Sequence, residues 1–174
     1  LIGLRRPRPA TDVGGPPLRV LVAAHMDQVG FLVAHISATG HLRLHPVGAF
    51  DPRTLVAQRV LVCPEAGEDL PGLLMPPSPP VHTASEAELK HAPALTELFV
   101  DLGLPAAEVR ARVSPGDMVV LDAPFRALGP AFAGPAMDDR VGCWALLAAL
   151  AGLDHHTCEI HAVWSVQEEV GSRG

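Results

Sequence analysis

The sequence predicts an α/β domain interrupted by a β-rich insertion, and three observations carry that prediction. Residues 18–24 (LRVLVAA) form a continuous apolar run with β-branched members, and residues 159–166 (EIHAVWSV) read the same way. Such runs suit strands buried on both faces, as in a parallel sheet. Between them, Asp139 to Leu153 (DRVGCWALLAALAGL) is rich in Ala and Leu, with apolar positions around the turn. This predicts a helix of about four turns, and acidic Asp138 and Asp139 suit its positive N-terminal end. A helix followed by a buried strand indicates a layered α/β architecture. The third observation is the different texture of the middle.

There, FLVAHIS (31–37), HLRLHPV (41–47) and VAQRVLV (56–62) are short strand-like segments, with turns at Thr39-Gly40 and around Asp51-Pro52. The pattern is that of a β-meander and not of βαβ units. Residues 64–82 read mostly as a proline-rich loop, MPPSPP included. Ser85 and Glu88 have the spacing of a capping box for a short helix that Pro93 ends. Leu98 to Leu102 reads as a strand and Pro105 to Arg112 as another short helix. Ser114-Pro115-Gly116-Asp117 is a turn signal ahead of the strand MVVL (118–121). The expected boundaries are therefore 1–30 and 125–174 for the α/β domain and 31–124 for the insertion.

Composition narrows the function classes. The 174 residues are 48% hydrophobic, enough for a real core, and carry a formal charge of −6. No Lys/Arg run suggests nucleic acid, and the acidic balance argues against an anionic membrane surface. The longest apolar stretch, Val141 to Leu153, is too short to span a bilayer. Cys63, Cys143 and Cys158 are odd in number and lack CxxC spacing. A reduced, cytoplasmic protein with buried thiols is the expectation. The chain opens Leu1-Ile2-Gly3-Leu4 without Met and without a signal-peptide pattern. The natural start of the protein is expected elsewhere.

Three segments place charge beside apolar runs: His25-Met26-Asp27, Asp138-Asp139-Arg140 and Glu168-Glu169. Buried charge is costly unless it is paired or bound to metal. His25 ends the first buried strand, the edge at which open α/β sheets bind ligands. Its imidazole suits zinc or cobalt, and Asp27 could accept the other ring N–H and fix the tautomer. Taken alone, His25 also reads as a capped core histidine, the Asp pair as a helix N-cap and the Glu pair as a solvated loop. Jointly they suggest a metal site. Asp138 would bridge two ions, with Asp139 and Arg140 making structural contacts. One glutamate would ligate metal, and the other would act as general base on a metal-bound water.

AAHMDQVGFLV, VGAFDPRTLVAQRV, PAMDDRVGCWALL and VQEEVGSRG closely resemble, in order and over essentially the whole chain, the M42 family of dinuclear metallo-aminopeptidases. These are the tetrahedral, TET-type enzymes, some of them labelled glutamyl aminopeptidase or endoglucanase. The resemblance implies a zinc-peptidase-like α/β catalytic domain with an inserted β-rich dimerisation domain. It implies two divalent ions, Zn or Co, with His25 and Glu169 each ligating one, Asp138 bridging both and Glu168 as general base. Asp27 matches the family's partner of the histidine and is counted with the catalytic residues. Peptide substrates and homo-oligomers from dimer to dodecamer are implied as well.

The chain departs from the family pattern in lacking the Asp and the late His that complete the ligand set. Asp154, His155 and His156 follow the helix that begins at Asp139. About 1.5 Å per residue puts them roughly 20 Å from Asp138, on the opposite rim. His35, His41 and His45 read as surface or edge residues of the insertion. His25, Asp138 and Glu169 give each ion about two protein ligands where catalytic zinc usually has three. The expectation is an incomplete piece of an aminopeptidase, inactive alone. The alternative is a non-catalytic relic whose β domain serves assembly or interaction.

Overall fold

A computed structural model describes residues 2–5, 18–77, 79 and 82–174. Its strands and helices follow in order as β1 (Ile2–Arg5), β2 (Arg19–His25), β3 (Gly30–Ile36), β4 (Leu42–Val47), β5 (Arg59–Cys63), β6 (Leu70–Met75), α1 (Glu86–Lys90), β7 (Phe99–Asp101), α2 (Ala106–Arg112), β8 (Met118–Leu121), β9 (Arg126–Leu128), β10 (Ala131–Ala133), α3 (Met137–Gly152) and β11 (Glu159–Ser165). Two compact units divide the chain, Leu1–Gln28 with Ala133–Gly174 and Val29–Phe132.

The first unit holds a three-stranded sheet ordered β1-β11-β2, with β11 antiparallel to β1 and parallel to β2. The register pairs Glu159 with Arg19 and Ser165 with His25, so β2 and β11 end side by side. Helix α3 packs on β2. Ala24, Cys143, Leu146, Ala162 and Trp164 form the core between them. Burial on both faces of β2 does not hold. Leu21 is 68% exposed and Val22 41% exposed, and consecutive strand residues face opposite sides. An apolar run records what a strand can bury, while burial also needs a second covering layer. The same applies to α3, whose Val141, Trp144 and Leu147 are exposed.

The helix begins less regularly than its composition predicts. Asp138 (φ −87°, ψ 111°) and Asp139 (φ −121°, ψ 34°) are not helical, and regular winding follows them. They are joined by a cis peptide bond.

The second unit is a closed six-stranded barrel, β3-β4-β7-β6-β5-β8, and not a meander. The β3–β4, β5–β6 and β6–β7 neighbours are consecutive strands, whereas β4–β7, β5–β8 and β3–β8 are not. Phe31, Val33, Leu42, Val60, Val62, Leu74, Val100 and Val119 fill the interior, at the alternate positions that a small barrel turns inward. Closure removes the open edges that a meander leaves. Strand β6 falls inside the segment read as a proline-rich loop. Its Pro71 is tolerated because β7 pairs only with Leu73–Met75, leaving that flank of Pro71 without a required donor. In the same segment Ser78, Pro80 and Val81 lie outside the described residues, as does Leu1.

Local signals in this unit match the geometry. Ser85 and Glu88 complete the capping box of α1, and Pro105 stands at the N-cap of α2. The Ser114–Asp117 turn is held by the Asp117 carboxylate accepting from Ser114 N at 2.8 Å. Gly40 closes the β3–β4 hairpin at φ +93°, a left-handed conformation that favours glycine. Among the described residues no helix is long and apolar enough to cross a membrane. The three cysteines are unpaired, but only the Cys143 thiol is buried as expected, in the core between α3 and its sheet, while Cys63 and Cys158 are half-buried.

Candidate metal and active site

Because β2 and β11 run parallel in that register, His25-Met26-Asp27 and Gln167-Glu168-Glu169 leave the sheet at one edge. Met26 N donates to Ser165 O at 2.9 Å and keeps them together. The Asp138-Asp139 pair, at the start of α3, meets the same edge.

His25 is the centre of the cluster, with its side chain only 12% exposed. Its Nδ1 lies 3.1 Å from the carbonyl oxygen of Asp27. A carbonyl only accepts, so Nδ1 carries a proton and Nε2 faces the carboxylates. Nε2 lies 3.1 Å from Asp138 Oδ1 and 3.9 Å from Glu168 Oε2. Burial works against protonation of this ring, but the Asp27 carbonyl, Asp138 and the charge on Glu168 outweigh it. Its pKa stands above the ordinary histidine value.

Asp27 does not act on the ring in the way its spacing suggests. The nearer contact is its backbone carbonyl, and its carboxylate Oδ1 lies 3.5 Å from Nδ1. The carboxylate instead accepts from two backbone N–H groups, Glu168 N at 3.3 Å and Glu169 N at 3.2 Å. Burial pushes its pKa up, yet the N–H groups of Glu169 and Glu168 prevail and hold it below the ordinary aspartate value. Asp27 therefore braces the Glu-Glu segment.

His25, Glu168 and Glu169 form the one candidate metal group among the described residues, with a ligand atom from each within 4.8 Å of the others. Asp138 reaches His25 but stands outside that group, and its side chain is 90% exposed. Glu168 Oε1 accepts from Ser172 Oγ at 2.9 Å. Glu169 has a raised pKa, first through burial, then through repulsion from Glu168, with Asp138 and Asp27 adding to it and His25 opposing. A divalent cation among these groups relieves that repulsion. One imidazole and hard carboxylates are the donor chemistry of zinc and cobalt sites.

Asp139 accepts from His25 N at 3.2 Å and from Gly142 N at 3.2 Å, while Arg140 Nε donates to Met26 O at 3.3 Å. Cys143 and Ser172 escaped the sequence reading. The thiol of Cys143 donates to His25 O at 3.2 Å. The available signals were its helical spacing of four from Asp139 and, for Ser172, its nearness to the Glu pair. Asp154, His155 and His156 follow α3 and precede Glu159, at the end of the sheet opposite His25. His35 and His45 are exposed on the barrel, and half-buried His41 lies against Phe99 with ring centroids 4.6 Å apart.

The sequence profile of the M42 glutamyl aminopeptidases matches residues 11–174, which include every residue of this cluster. The chain belongs to the M42 glutamyl aminopeptidase family. It is 36% identical over 168 residues to lysyl aminopeptidase of Pyrococcus furiosus, covering 92% of this chain and 46% of that protein. It is 32% identical over 159 residues to the putative aminopeptidase FrvX of Escherichia coli, covering 90% and 44%. The aminopeptidase APDkam598 of Desulfurococcus kamchatkensis superposes with a TM-score of 0.83 at 34% identity, over 99% of this chain and 45% of that one. The TET1 peptidase of Pyrococcus horikoshii, which can assemble into a tetrahedron or a large octahedral shell, superposes with a TM-score of 0.76 at 31% identity, over 91% and 48%. The chain thus spans less than half the length of these relatives. Its α/β fold is that of the M42 aminopeptidases.

Proposed function

We propose that the whole protein is a metal-dependent aminopeptidase that removes N-terminal residues from peptides. The observation that carries this reading is the convergence of His25, Glu168 and Glu169 at one sheet edge, in a member of an aminopeptidase family. Two divalent ions, Zn or Co, would supply Lewis acidity toward the scissile carbonyl and ease deprotonation of an attacking water. His25 and Glu169 would each hold one ion, and Asp138 would be shared. Glu169, desolvated and repelled by its neighbours, gains most from a cation. Glu168 is the general base. Its Oε1 is occupied by Ser172, so Oε2 takes the proton from water and returns it to the leaving amine. Asp27 fixes the backbone from which both glutamates project.

The test is hydrolysis of aminoacyl-p-nitroanilides by the full-length protein. Chelation should abolish turnover, Zn²⁺ or Co²⁺ should restore it, and Glu168→Gln should lower kcat by at least about 10²-fold while metal uptake persists. Activity indifferent to chelator, or a near-normal Glu168→Gln rate, refutes the reading. These 174 residues by themselves offer about two protein ligands per ion where catalytic zinc usually has three, so this span alone is expected to be inactive. Robust metal-stimulated turnover by it would contradict that expectation.

The barrel is proposed to serve dimerisation and higher assembly, up to a dodecamer. The shell-forming relative from Pyrococcus horikoshii supports this. We infer a reduced, cytoplasmic setting from the three unpaired thiols.

A further inference from the structure

We propose that Asp139 is a positioning residue that sets the spacing of the two metal-ligand candidates His25 and Asp138, and that residue 142 is glycine to leave room for it. The inference rests on the metal-site reading above. Three backbone groups of His25 and Met26, at the end of β2, are held by side chains from the start of α3. His25 N donates to Asp139, His25 O accepts from the Cys143 thiol, and Met26 O accepts from Arg140. Asp139 is the only one of the three that also grips its own helix, because its second oxygen accepts from Gly142 N. One carboxylate thus ties the strand bearing His25 to the segment bearing Asp138. The latter's Oδ1 sits 3.1 Å from His25 Nε2.

Gly142 supports the assignment independently. Glycine is among the poorest helix formers, yet it occupies the first regular turn of α3. A Cβ there would stand 2.8 Å from Asp139 Cγ and Oδ2, and closer still to Oδ1. Alanine, otherwise the better helix residue, would displace the carboxylate from both of its partners.

An N-cap role alone would need only the bond to Gly142 N. Asp139→Ser separates the two roles, because serine can still cap the helix but is too short to span strand and helix. In the full protein, Asp139→Ser is expected to stay folded, with a melting midpoint lowered only by the one lost bond to His25 N. Its dissociation constant for Zn²⁺ or Co²⁺ by calorimetry should rise at least tenfold, and the Co²⁺ d–d absorption band should shift or weaken. Wild-type affinity and an unchanged Co²⁺ spectrum in Asp139→Ser overturn the proposal. In metal-free protein, Gly142→Ala should lower the melting midpoint in the wild-type background and raise it in the Asp139→Ser background. A rise in both overturns the assigned place of the carboxylate. Wild-type protein that takes up no Co²⁺ overturns the metal-site reading and this role with it. The sign reversal of Gly142→Ala is read without metal and reports the clamp separately.

Discussion

Replacing Asp27 by Asn tests the brace beneath the Glu-Glu segment. The carboxylate accepts from Glu168 N and Glu169 N at 3.3 and 3.2 Å. An amide offers one oxygen and turns its NH₂ toward the other N–H. Hydrogen bonds to a charged group contribute about 1.5–3 kcal/mol each. Both bonds are long, and the side chain is 23% exposed, so the low end applies, and the loss of one bond costs about 1.5–2 kcal/mol. For a unit of 60–100 residues that is roughly 6–16 °C in melting midpoint. Trp144 and Trp164 both lie in the unit that carries the site, so tryptophan fluorescence reports its unfolding without the barrel. The pH dependence has a definite sign. Asp27 has a lowered pKa in the folded protein, so its contribution is complete above the unfolded aspartate value of about 3.9. It is lost as pH falls through the folded value. The gap between wild type and Asp27→Asn should be full at neutral pH and close on acidification. Equal midpoints at neutral pH, or a gap that acid leaves unchanged, would refute the brace.

Glu169 should show the opposite pH dependence. Its pKa is raised in the folded protein, so it costs metal-free protein stability as pH rises from the unfolded glutamate value of about 4.3. Glu169→Gln should match wild type at pH 3–4 and exceed it at pH 7 in thermal melts. Added Zn²⁺ should stabilise wild type more than the variant, and a variant less stable than wild type at pH 7 without metal would contradict this. In the barrel, Leu74 is fully buried, and Leu74→Ala should cost about 2–5 kcal/mol. Hydrogen exchange at Val60, Val62 and Val100 should accelerate accordingly, and unchanged protection there would show that the barrel core is not one cooperative unit.

Much of the local structure and most of the site was legible in the chain. Apolar runs located β2 and β11, Ser85 and Glu88 marked the cap of α1, and the charged segments named His25, Glu168 and Glu169, which meet as a candidate metal group, together with Asp138, which reaches His25 but stands outside that group. These are properties of neighbours in sequence: propensity, capping geometry, and the cost of placing charge beside apolar residues. What tertiary structure alone decided depends on partners far along the chain. The parallel register of Ser165 with His25 brings the motifs to one edge. Closure of the barrel reorders strands that read as a meander, because hydrophobic alternation says which face turns inward and not which strand lies alongside. The exposure of Leu21, Val22 and Trp144 depends on which layers cover the sheet. The task of Asp27 depends on two N–H groups more than 140 residues away, a distance over which no spacing rule reaches.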